Sequence, residues 1–117
     1  MKLIINHNII KCKVCNTPET IKNGMMGKTF DSFDGMFFML PNKTNQNFWM
    51  YNCLVPSDII IIDDNNITKI HHDCQPCENE YDCTYYSGFG NRVLELPGGT
   101  CNNLGIKEND SIKISLH

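Results

Sequence analysis

The chain has 117 residues, a formal net charge of −3, and a single arginine, Arg92, against nine lysines. A length of this order makes one domain, residues 1–117, around one hydrophobic core. The charge balance argues against a nucleic-acid reader, which needs clustered basic residues and favours arginine at guanine. No internal apolar run, Ile59 to Ile62 included, approaches the ~20 residues that span a bilayer.

Alanine is absent, while Asn occurs 15 times and Ile 14 times. Asn, Ile and Lys have AT-rich codons, so this is the usage of an AT-rich genome such as that of a virus or phage. It does not mark a functional Asn tract. The opening Met1-Lys2-Leu3-Ile4-Ile5 stops at Asn6-His7-Asn8, too soon for a secretory signal. Seven cysteines is an odd number and suits a reducing compartment better than a disulfide framework. The expected setting is cytoplasmic, the host cytoplasm for a viral protein.

Leu3 to Ile5 and Ile9 to Cys15 read as two short strands around an Asn-His-Asn turn. Thr17 is placed to cap a helix that has Pro18 at its first position and Glu19 in its first turn. Ile21 and Met25 share one face of it, and Gly24 and Gly27 mark its exit. Met36 to Leu40 is an apolar strand stopping at Pro41, residues 42–47 are a polar loop, and Phe48 to Tyr51 is β-prone. After Pro56-Ser57-Asp58, the four isoleucines 59–62 predict a strand buried on both faces. Asp63-Asp64-Asn65-Asn66 turns it into a hairpin with Ile67 to His72.

Residues 73–90 are polar and aperiodic, and read as a long ordered loop. Arg92 to Leu96 is a further strand, and Pro97-Gly98-Gly99-Thr100 leads into a helical turn closed by Gly105. Ile112, Ile114 and Leu116 alternate with Ser111, Lys113 and Ser115, a period of two that gives one buried and one wet face. The expected fold is mainly β (α+β): a small compact β-barrel or sandwich with one short α-helix and a second helical turn. Closing or doubling the sheet hides its edges.

Three segments in this order carry a resemblance. They are Cys15-Asn16-Thr17-Pro18-Glu19 with Gly24-Met25-Met26-Gly27; Phe48-Trp49-Met50-Tyr51-Asn52 with Pro56-Ser57-Asp58-Ile59-Ile60; and Leu94-Glu95-Leu96-Pro97-Gly98-Gly99 with Leu104-Gly105-Ile106. The chain resembles the domain of unknown function 192 family, an uncharacterised bacterial and archaeal group with viral members, from about residue 9 onward. The resemblance implies a compact, mostly β domain with one short helix after the second strand, and no reaction. It also implies a loop carrying two cysteines and a tyrosine, matched here by Cys77, Cys83 and Tyr85. That set suits a staple, a reducible pair or a metal site.

Candidate chemistry falls into four groups. Cys12-x-x-Cys15 with Cys74-x-x-Cys77 has zinc-knuckle spacing, but residues three apart on a strand point to opposite faces, so the first pair diverges. A local zinc set of His72, Cys74, Cys77 and Cys83 has suitable ligand types, with His71 facing the other way from His72. Asp58 is either a buried acid or base, or a cap that accepts backbone N–H groups. Glu95, between Leu94 and Leu96, faces away from both, outward or into a polar cleft.

Trp49 and Tyr51 share one face and Met50 and Asn52 the other. The leading expectation is a non-enzymatic binding or accessory module, with a polar and aromatic cleft formed by Trp49, Asn52, Asp58 and Glu95 and an unidentified small molecule or protein as partner. The alternatives are a small-metabolite enzyme using Asp58 or a cysteine such as Cys83, and a zinc-stabilised interaction protein built on the 71–83 loop. No catalytic set and no cofactor other than zinc is indicated.

Overall fold

The computed structural model describes residues 1–115. Its strands are β1 (Lys2–Ile5), β2 (Asn8–Cys15), β3 (Gly35–Phe48), β4 (Ser57–Asp63), β5 (Asn66–Cys74), β6 (Tyr86–Pro97) and β7 (Lys113–Ser115). Helix α1 (Pro18–Asn23) lies between β2 and β3, and α2 (Thr100–Leu104) between β6 and β7. The strands form one sheet in the order β5-β4-β6-β3-β2-β1-β7. The β2–β3 pair is parallel, with α1 in its crossover, and the other pairs are antiparallel.

The sheet curls into a half-barrel. The segment ahead of β7 meets the start of β5: Ile67 donates its N–H to the Asp110 carbonyl at 2.9 Å, and Ile112 donates to that of Asn65 at 2.8 Å. Curling gives the sheet two apolar faces. One cluster joins Leu3, Ile5, Ile10, Phe37, Ile60, Ile62, Leu94 and Leu96 with Cys101 and Ile106 from the α2 region. The other joins Met36, Phe38, Ile59, Ile61 and Val93, and is covered by Met25 and Met50. Isoleucines 59–62 are fully buried and split alternately between the two clusters. Each such side chain contributes roughly 1.5–3 kcal/mol.

Local signals place α1. Thr17 caps it, accepting the Thr20 N–H at 3.2 Å while the Thr20 hydroxyl accepts the Thr17 N–H at 3.1 Å. At the other end Gly24, at φ +43°, donates to the Thr20 carbonyl. The turn into α2 uses Gly99, and Gly105 closes it at φ +68°.

Three expectations are corrected. Residues 42–47 are not a loop: β3 continues to Phe48, with a register shift between Met39 and Thr44 that absorbs Pro41, which lacks an N–H for the ladder. Tyr86 to Gly90, expected within a loop over 73–90, pairs with that extension, so the irregular segment is 75–85. Most side chains of the extension are exposed, so the polar composition that suggested a loop belongs to a solvated ribbon. The β-prone run also ends early, since β3 stops at Phe48 and Tyr51 makes only an isolated bridge to Cys77. Leu116 and His117, at the end of the expected last strand, lie outside the described residues.

Candidate functional site

A cavity of about 230 Å³ opens on the face of the sheet covered by α1. Its lining comes from three places: Ile21 to Met26 along and after α1, Phe38 and Phe48 of β3 with Trp49, Tyr51 and Cys53 beyond it, and Glu95 of β6. The alternation of β6 sends Leu94 and Leu96 into the first cluster and leaves Glu95 on the cavity side. Its cross-strand neighbours are Met36 on β3 and Ile59 on β4, both fully buried. Glu95 is 3% exposed. Burial pushes its carboxyl up to about 8, and no hydrogen bond or ion pair among the described residues offsets that.

The walls are aromatic. Phe38 and Phe48 meet edge to face with ring centroids 5.0 Å apart, and Trp49 lies 5.1 Å from Tyr51. Tyr85 stacks on Trp49 at 5.9 Å with 10° between the planes. The 75–85 loop that presents Tyr85 is stapled by a Cys77–Cys83 disulfide. It is also sewn to the cavity segment: Cys77 donates its N–H to the Met50 carbonyl and accepts the Asn52 N–H, each at 3.0 Å.

Of the four expected cleft residues, Trp49 and Glu95 line this cavity and Asn52 and Asp58 do not. Asn52 sits in a turn at φ +56°, where its carbonyl accepts the Gly27 N–H at 3.0 Å and its N–H goes to Cys77. It joins the segments behind the cavity. Asp58 is fully buried and belongs to the opposite side of the sheet. Its Oδ1 accepts N–H groups from Asp73 at 2.8 Å and Gly99 at 3.1 Å, and its Oδ2 accepts from Cys101 at 2.8 Å. Both oxygens are thereby committed to holding the start of α2 and the end of β5 in place.

His72, Cys74, Cys77 and Cys83 are not assembled as a ligand set. Cys77 and Cys83 are joined to each other, Cys74 is buried in the second cluster, and no group of three or more His, Cys, Asp and Glu among the described residues is placed to hold a metal. Cys12 and Cys15 diverge into opposite clusters. The free thiols are poor nucleophiles: burial pushes Cys12 and Cys53 up to about 12 and Cys74 to about 11, and raises Cys15 and Cys101. The aromatic residues of the apolar runs, Phe38 among them, are candidates for a pocket or for the core, and Phe38 stands in this cavity wall. The Ile21–Met26 wall has no such signal, because nothing local marks the approach of α1 to the sheet.

A curled antiparallel-rich sheet with a single helix over one face, and an acid under that helix, defines the class of domain. The chain belongs to the domain of unknown function 192 family, described as an uncharacterized ACR, whose model matches residues 1–114. Two solved structures share the fold. A protein of unknown function from Novosphingobium aromaticivorans DSM 12444 is 25% identical with a TM-score of 0.84, the match covering 97% of this chain and 84% of that one. A "putative transcription regulator" from Sinorhizobium meliloti 1021 is 24% identical with a TM-score of 0.83, covering 96% of this chain and 89% of that one. No curated protein sequence matches the chain.

Proposed function

We propose that the protein is a one-domain, non-enzymatic binding module that holds a small molecule in the cavity between α1, β3 and β6. Glu95 is the polar anchor, and Trp49 with the neighbouring aromatics forms the walls. The observation that carries this reading is a carboxyl 3% exposed, facing a cavity, with no partner of its own. Buried polar groups in folded proteins are nearly always satisfied, and an apolar pocket with one or two placed polar groups is the usual form of a small-molecule site. A volume of about 230 Å³ sits below the ~300–1,000 Å³ of drug-sized sites and selects a small ligand. Five free thiols support a cytoplasmic setting, in which the Cys77–Cys83 pair is a reducible staple, and the alanine-free composition supports an AT-rich genome of viral or phage kind.

Trp49 is the only tryptophan and stands in the cavity wall, so it reports occupancy directly. A fragment library is screened by Trp49 emission and thermal shift on wild type and on Glu95→Gln. Compounds that shift Trp49 emission and lose affinity in the variant support the reading. A library whose hits all leave Trp49 and the Glu95→Gln difference untouched would remove it.

A further inference from the structure

We infer that the cavity takes a small organic cation, with an ammonium or amidinium group against Glu95 and an apolar body against Phe38, Phe48 and Trp49. This rests on the reading of the cavity as a binding site and adds the charge of its ligand. Glu95 lies at the centre of an apolar sheet face, between Met36 and Ile59. A carboxylate there has no counter-charge, and unpaired buried charge is strongly unfavourable. A ligand cation supplies the missing charge and its hydrogen bonds together. Aromatic faces also attract cations through their ring quadrupoles, and four aromatic residues line this cavity. Once Glu95 is ionised, an anionic ligand meets repulsion from the same carboxylate in a poorly screened site.

The other titratable groups near Glu95 do not supply that charge. The Lys28 ammonium donates to the Gly24 carbonyl at 3.0 Å, and Lys22 lines the cavity from α1 but is exposed, so water screens its charge. Cys15 of β2, Cys53, and Cys74 of β5 are thiols held neutral by burial. His71 is beyond Ile59, its Nε2 2.8 Å from the Ser87 carbonyl, and Tyr86 packs against it with centroids 5.3 Å apart. The elements on either side, β3 and β4, present Met36, Phe38, Ile59 and Ile61. Because burial favours the protonated acid, binding a cation displaces the Glu95 proton, and affinity follows pH.

The test uses three matched probes on the full chain by calorimetry: benzamidinium, neutral benzamide and anionic benzoate. At pH 9, where Glu95 is ionised, the expected result is benzamidinium binding at least tenfold tighter than benzamide, with no benzoate binding. Its affinity rises toward tenfold per pH unit between pH 6 and 8 and levels off above, with proton release visible as a buffer-dependent heat. In Glu95→Gln the preference for the cation and the released proton both disappear. Benzamide binding as tightly as benzamidinium, or a cation preference that survives Glu95→Gln, overturns the inference and leaves the binding-site reading standing. No binding by any of the three, with Trp49 silent to the wider library as well, overturns both. The proton-release measurement needs only wild-type protein, so it decides the matter even where the variant is poorly folded.

Discussion

Asp58 and Glu95 are displaced by one position across the β4–β6 ladder, where Asp58 stands opposite Leu96 and Ile59 opposite Glu95. A single step in register sends the two buried carboxyls to opposite sides of the sheet. Their environments are accordingly unlike. Asp58 accepts three main-chain N–H groups, while Glu95 has no partner and faces a cavity. One carboxyl is a fastening and the other is available to a ligand.

Removing the fastening is costly. Asp58→Ala leaves the N–H groups of Asp73, Gly99 and Cys101 without their acceptor, and an unsatisfied buried donor costs about 1–3 kcal/mol. The expected loss is about 3 kcal/mol or more, a Tm lower by roughly 10 °C or more in a domain of this size. Asp58→Asn, which keeps one acceptor oxygen, falls between. Differential scanning calorimetry of the two variants checks the order, and an Asp58→Ala protein melting with wild type contradicts it.

Glu95 gives stability an opposite pH slope from that of a paired carboxylate. Burial raises its folded-state pKa from 4.5 to about 8, so the native state keeps a proton that the unfolded chain releases. Between those two values the native state binds more protons, and stability falls as pH rises. The full contribution is present below about 4.5 and gone above about 8. At ~1.4 kcal/mol per unit the change is a few kcal/mol. Urea midpoints at pH 5, 7 and 9 for wild type and Glu95→Gln isolate it: the variant gains on wild type steadily with pH. Parallel curves for the two proteins would falsify the assignment.

The parts of the fold legible in the sequence were those with local causes. Thr17 and Pro18 marked the start of α1, four consecutive isoleucines marked a strand with two buried faces, and Gly99 and Gly105 bracketed α2. The β3–β6 ribbon was illegible because its residues are solvated and leave no apolar alternation, and Pro41 reads as a stop when a register shift can absorb it. The site was half legible for the same reason. Alternation correctly turned Glu95 away from Leu94 and Leu96, but relating it to Asp58 required the register between β4 and β6, which no single strand contains. The wall from α1 needed the crossover between β2 and β3 to be seen in three dimensions.

The ribbon's geometry rests on Gly90. A Cβ there would collide with the Ile62 carbonyl and lie 3.2 Å from the Asp63 nitrogen, both main-chain atoms of the neighbouring strand that cannot swing aside. Gly90→Ala is expected to cost about 1–3 kcal/mol, as overpacking generally does, and to loosen the pairing of residues 44–48 with 86–90. Amide hydrogen exchange along that ribbon reads the second effect. Unchanged protection there, at wild-type stability, would show that β6 shifts freely at this point.

The disulfide between Cys77 and Cys83 acts on a different part of the wall. It closes a short loop, with a sequence separation of 6, and the chain-entropy relation assigns such a closure about 2 kcal/mol through the unfolded state. In the folded state the loop presents Tyr85 to Trp49. Met50 and Asn52 remain bonded to the main chain of Cys77 whatever the state of its sulfur. Replacing both cysteines by serine, or adding dithiothreitol, is therefore expected to lower stability by about 2 kcal/mol and to alter Trp49 emission as the stack loosens. The cavity floor at Glu95 should persist, so cation binding should weaken modestly while its pH dependence survives. If reduction instead abolished that pH dependence, the staple would be holding the floor as well as the wall, and the division between the loop and the β6 acid drawn from these contacts would be wrong.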